Sequence, residues 1–232
     1  MDIILVAGLW LDASVWDRTA AALSTLGHRP VPVALPGQGD GNTSATLGDQ
    51  VAAVLAAVDA AYDPASEKPL VVGHSAACGL AWLAADARPD RVAGVVLVGG
   101  FPNADGERYA PSFPIVDGAM PFPGWEPFEG PDSADLDDAA RQGLAAAFIP
   151  VPGPVSTALV HLADDRRYDV PMVMICPEYS PEQAKEWVAA GELPELTRIR
   201  DVRYVDIDSG HWPMTSRPDD LARLLAQAAD AI

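Results

Sequence analysis

The sequence predicts an α/β fold: a mostly parallel sheet with helices on both faces and a small lid insert. Three observations carry this. Apolar strand-like runs alternate with helical patterns along the chain, as in successive βα units. Val92–Val98 is an almost unbroken apolar run, the signature of a strand buried on both faces. Leu70-Val71-Val72 leads through Gly73-His74-Ser75 straight into an Ala-rich helical segment reaching about Ala87, a strand, sharp turn and helix without a spacer.

The elements follow in order. Ile3–Ala7 reads as a first core strand, and Val15–Leu26 as a helix stopped by Gly27. Pro32–Leu35 reads as a short strand closed by Pro36-Gly37-Gln38-Gly39-Asp40-Gly41. That glycine-rich segment lacks the spacing of either phosphate-binding motif and reads as a turn at the pocket rim. In Leu47–Ala61, Val51, Val54, Leu55 and Val58 recur on a helical period. After Val92–Val98 the alternation breaks, and residues 101–168 are rich in Pro, Gly and acidic side chains. A stretch of that length inside a compact domain is expected to be functional, and it reads as a lid insert. Helical patterning is expected from about Ala134 to Phe148 and again around Val155–Ala163. Trp125, Phe128 and Phe148 are candidates either to line an apolar entrance or to hold the insert onto the domain. Met172–Cys176 (strand), Pro181–Ala190 (helix), Arg203–Ile207 (strand) and Pro218–Ala229 (helix) complete the chain. Residues 1–100 and 169–232 form the expected core.

Composition removes several function classes. The chain has 232 residues, 49% of them hydrophobic, enough for one sizeable core. A formal net charge of -18 argues against nucleic acid or an anionic membrane as partner, since both need a basic face. The apolar N-terminal run is too short for a membrane span and lacks a basic flank, so a cytoplasmic location is expected. Cys78 and Cys176 sit in apolar contexts and read as free thiols. No metal-ligand cluster or cofactor motif is present, and the oligomeric state is not legible.

The chemistry concentrates at Gly73-His74-Ser75-Ala76-Ala77. A serine at the apex of a strand–turn–helix is held out for attack, and the pattern is that of a nucleophile elbow, with Ala77 where a second glycine is usual. Such a serine needs a base within hydrogen-bond reach. Of four histidines, His28 lies in a connecting turn expected at the surface, His74 sits inside the elbow pointing away, and His161 falls in the lid. His211 follows the last strand, in a loop at a strand's carboxyl end, where functional loops of open α/β sheets gather. Ser75 and His211 are therefore the expected nucleophile and base.

The segment from His211-Trp212-Pro213-Met214 to Pro218, together with Ile4-Leu5-Val6-Ala7-Gly8-Leu9-Trp10 and the elbow, resembles the plant esterase and hydroxynitrile lyase group of the α/β-hydrolase superfamily. The resemblance implies an α/β-hydrolase fold and an oxyanion hole built from the backbone amides of Leu9 and Ala76. Trp10, Trp125, Phe128 and Trp212 become candidate substrate contacts. It places the triad acid in the loop after Met172–Cys176, where Glu178 is the one carboxylate offered. Asp105, in the loop after Val92–Gly99, is an alternative, Asp208 lies too close along the chain to reach the far ring nitrogen, and a Ser–His dyad is a further possibility. Where the group has a histidine before the loop glycine, this chain has Ala7.

The implied activity is that of a serine hydrolase of carboxylesterase type, acting on a small, partly apolar ester without a cofactor. A cyanohydrin lyase is the alternative within the group. Its members carry a Lys after the catalytic His and a Thr in the first loop, where this chain has Trp212 and Gly8. A non-catalytic or weakly catalytic small-molecule binder is the reading from a different class.

Overall fold

The computed structural model describes residues 1–232. In chain order its elements are β1 (Asp2–Val6), α1 (Asp17–Thr25), β2 (Arg29–Pro32), α2 (Leu47–Ala61), β3 (Leu70–His74), α3 (Ala77–Ala87) and β4 (Gly94–Val98). The insert follows with β5 (Ala119–Met120), α4 (Asp138–Ala147), β6 (Val151–Pro152) and α5 (Gly153–Ser156). The chain then returns through β7 (Met172–Cys176), α6 (Pro181–Ala189), β8 (Val202–Asp206), α7 (Pro213–Ser216) and α8 (Pro218–Ala231).

Six strands make one sheet in the order β2-β1-β3-β4-β7-β8, and every pairing is parallel. Because side chains alternate along a strand, the sheet feeds two separate cores. Ile4, Val6, Val71, Val95, Leu97, Met172 and Met174 face one side and pack with α2 and α3. Ile3, Leu5, Leu70, Val72, Val96, Val98, Val173 and Ile175 face the other and pack with α1 and α8. The order reverses between β1 and β3, and at such a switch point the loops leaving the strands' carboxyl ends diverge and open a crevice.

The expected strand Pro32–Leu35 is displaced: β2 is Arg29–Pro32. Arg29 and Val33 donate to Met1 O and Leu5 O, so Pro30 and Pro32 alternate with them and point their missing N–H groups away from β1. An edge strand tolerates two prolines in that phase, which is why the pair did not end the strand.

The insert also departs from expectation. Its first helix forms as α4, but Val155–Ala163 is helical only through Ser156. Beyond it the backbone pairs with the start of the insert. Tyr109 N–H donates to Ala158 O, Val160 N–H to Glu107 O, and Gly106 N–H to Val160 O. Long-range partners replace the local helical ones, satisfying the same groups. Between β4 and β7 no residue joins the central sheet. Arg167 clamps the end of the insert to the core: nearly buried, it reaches Asp86 on α3 and Glu195 after α6, and Trp82 Nε1 donates to Glu195 as well.

Candidate active site

The elbow is built by close packing around β3. Ser75 has φ of 55°, in the left-handed region that a non-glycine residue enters only under constraint. Its N–H donates to Val98 O at 2.8 Å and its carbonyl accepts from Cys78 N–H at 3.0 Å, so both neighbouring elements hold the turn. Gly73 is required by distance rather than by its own dihedral, for a Cβ there would lie 2.3 Å from Ala77 O. Ala77 itself is fully buried in the helix-side core, so the methyl in place of a second glycine has room.

Ser75 meets two residues from far along the chain. His211 Nε2 lies 2.9 Å from Ser75 Oγ, and His211 Nδ1 lies 2.8 Å from Glu178 Oε1. A carboxylate only accepts, so Nδ1 carries the proton, and Nε2 is left to accept from the serine hydroxyl. Glu178 is in the loop after β7 and His211 in the loop after β8, while Ser75 follows β3; the sheet brings all three to one edge. The other carboxylates are elsewhere. Asp105 accepts from Leu162 N–H in the insert and is mostly exposed, and Asp208 faces Arg217 in solvent.

His74 has a part that its place inside the elbow did not disclose. Its Nε2 is 2.7 Å from the carbonyl of His211 and must be the donor, which leaves Nδ1 bare and without a partner in the interior. Burial, reinforced by the neighbouring His211, pushes its pKa down to about 3, so it is neutral through the neutral range. The N–H of His211 donates to Asp132 O in the insert at 2.7 Å. Both peptide groups of His211 are thus held, one by the elbow and one by the insert. Burial, and then the charge of Glu178, raises the carboxyl of Asp132 above its ordinary range. The signal for His74 was only its position next to Ser75; the contact spans 137 residues and no local pattern encodes it.

A cavity of about 510 Å³ opens over Ser75 and His211, within the usual size for small-molecule sites. Leu9 and Ala76 line it, and their backbone N–H groups donate to no protein acceptor. Trp10 and Phe128 also line it, together with Phe101, Tyr109 and Phe113, three aromatics that sequence reasoning missed. Of the three, Phe101 carried a signal, since it stands just past Gly99-Gly100 at the carboxyl end of β4.

Trp125 and Trp212, expected as substrate contacts, do not line the cavity. Trp212 is buried in the core on the α8 side, and Trp125 packs edge-on against it and against Phe122. Phe148 likewise turns inward onto Phe122 and Trp10. These rings hold the insert down, and Trp10 meets the insert rings of Phe113, Phe122, Phe128 and Phe148. Its φ of 63°, the bond from Nε1 to Met120 O and the acceptance of Ile149 N–H tie the loop after β1 to the insert.

Two smaller expectations also change. The His28 side chain is largely covered, and the Gly37–Gly41 turn is absent from the cavity wall. Gln38 instead donates to Gly8 O behind the first loop. His161 is an exposed insert residue, and neither Lys68 nor Lys185 lines the cavity. Both cysteines are free and buried; burial raises both thiols, that of Cys176 to about 12. No group of three His, Cys, Asp or Glu side chains is arranged to hold a metal ion, and no helix is long and apolar enough to cross a membrane.

Several known proteins resemble this chain over nearly its whole length. The profile of the Alpha/beta hydrolase family matches residues 3–224. Lipase LipV of Mycobacterium tuberculosis is 28% identical, the match covering 96% of this chain and 91% of that protein. Among solved structures, an extracellular alpha/beta-hydrolase from a Paenibacillus species, described as sharing structural and functional homology with tobacco salicylic acid binding protein 2, superposes with a TM-score of 0.79. It is 19% identical, and 98% of each chain is covered. A methylesterase from Arabidopsis superposes with a TM-score of 0.77 at 16% identity, covering all of both chains. Polyneuridine aldehyde esterase does so at 0.72 and 16%, covering 99% of each. At these identities the structural matches speak for the fold.

Proposed function

Since the chain belongs to the alpha/beta hydrolase family, we propose that it is a serine hydrolase of the carboxylesterase type. The observation that carries this reading is the continuous relay Ser75 Oγ, His211, Glu178, with contacts of 2.9 and 2.8 Å. In the proposed reaction Ser75 Oγ attacks the ester carbonyl carbon while His211 Nε2 takes its proton. Glu178 keeps the imidazole in the Nδ1–H tautomer and stabilises the imidazolium that forms. The carbonyl oxygen becomes an oxyanion, and the free amides of Leu9 and Ala76 are the donors assigned to it, each worth about 3–4 kcal/mol in such sites. His211 then protonates the departing alkoxide, and a water activated by the same nitrogen releases the acid from Ser75.

The aromatic walls of the cavity support small, partly apolar esters as substrates. The matched lipase and the esterase neighbours support ester cleavage in the same sense. Purified wild type should hydrolyse short p-nitrophenyl esters and be labelled by a fluorophosphonate, and Ser75→Ala should do neither. Hydrolysis by Ser75→Ala at the wild-type rate would refute the assignment.

A further inference from the structure

The cavity over Ser75 has a charge that the relay does not require. Glu107 and Glu192 both line it, and no lysine or arginine does. Glu107 Oε2 accepts from Ala104 N–H at 2.8 Å, which fixes that carboxylate on the insert side of the mouth. Glu192, exposed like Glu107, is in the turn after α6, where its N–H donates to Trp187 O. The nearby cations are committed elsewhere. Arg108 reaches Thr157 O, Arg198 pairs with Tyr168 and Asp165, and Arg167 is buried between Asp86 and Glu195. The aromatic part of the same wall is formed by Phe101, Tyr109, Phe113 and Phe128.

We propose that this cavity selects esters carrying an ammonium group and rejects those carrying a second carboxylate, with Glu107 and Glu192 as the specificity-determining residues. Ring faces attract a cation through their quadrupole, and two carboxylates at the mouth of an apolar cleft focus a negative field into it. A substrate carboxylate would be desolvated there with no cation to meet it and like charge beside it, a repulsion that acts as discrimination. The chain's charge of -18 attracts any cation diffusely, so the local effect has to be separated from the global one.

The substrate class rests on the esterase reading, so one arm of the experiment needs no turnover. Binding of phenyltrimethylammonium, of its neutral isostere tert-butylbenzene and of benzoate is followed by calorimetry. The kinetic arm compares kcat/KM for acetylthiocholine with that for 3,3-dimethylbutyl thioacetate and for S-acetyl-3-mercaptopropionate. Wild type should favour the ammonium ligand and the ammonium ester over their neutral isosteres by about tenfold, with the anions weakest. Glu107→Gln combined with Glu192→Gln, which keeps an acceptor for Ala104 N–H, should bring both ratios to about two. Asp219→Asn combined with Asp230→Asn makes the same charge change on α8 and should leave both ratios as they were. Wild-type ratios near one, or an equal fall in the two double variants, would overturn the proposal. Absence of turnover and of phosphonate labelling would sink the esterase reading instead, and the binding ratios would still decide this one.

Discussion

Replacing His74 by alanine removes the donor on which the carbonyl of His211 depends. That carbonyl is part-buried and takes its hydrogen bond from Nε2 at 2.7 Å, so it is left without a partner, while the fully enclosed ring leaves a void behind Gly8. An unmet buried acceptor and a cavity of ring size together cost roughly 3–5 kcal/mol. The pH dependence gives a sharper signature. The folded-state pKa of about 3 lies below the ordinary 6.5, so between those values only the unfolded chain gains the proton, and stability falls as pH falls through that window. From pH 8 to pH 5 this contributes a loss of about 2 kcal/mol that the alanine variant does not share. Urea unfolding should therefore show a large gap between wild type and His74→Ala at pH 8, narrowed by about that amount at pH 5. With the loop of the base loosened, phosphonate labelling of Ser75 should slow in the variant, and His74→Gln, whose amide can donate, should recover part of the rate. A gap that does not change with pH, or labelling at the wild-type rate in His74→Ala, would refute the reasoning.

Two further substitutions test the relay and its support. Glu178→Gln removes the charge that holds the Nδ1–H tautomer and should lower kcat for p-nitrophenyl acetate by up to about ten-thousandfold with KM little changed; a loss confined to KM would show Glu178 to be a binding group. Arg167→Met strands Asp86 and Glu195 as buried carboxylates and should cost about 3–5 kcal/mol in thermal or urea unfolding. Adding Asp86→Asn should return part of that, and additive losses would mean the two side chains are not coupled.

Some corrections have a common origin. Trp125 and Trp212 were expected at the substrate because aromatics in a lid and beside a base are plausible walls, yet the two rings found each other and closed a core instead. The choice between wall and core depends on which way a helix-poor insert folds back, and period and propensity are silent on that. Val155–Ala163 failed as a helix for a related reason: its backbone found partners in Gly106–Ala110, about fifty residues earlier, and a local reading counts only neighbours.

What the sequence determined by itself is everything governed by near neighbours: alternating apolar runs that must be strands of a buried parallel sheet, and a glycine before Ser75 that permits the tight turn. The same holds for a histidine placed beyond the last strand. Tertiary structure alone decided which groups at the sheet's edge touch. Glu178 rather than Asp105 faces His211 because β7 and β8 are adjacent in the sheet, and His74 holds His211 because the loop after β8 reaches back past β7 and β4 to the end of β3. Hydrogen bonds of that kind reach only about 3 Å, and whether two loops come that close is settled by strand order and packing, neither of which any single stretch of chain contains.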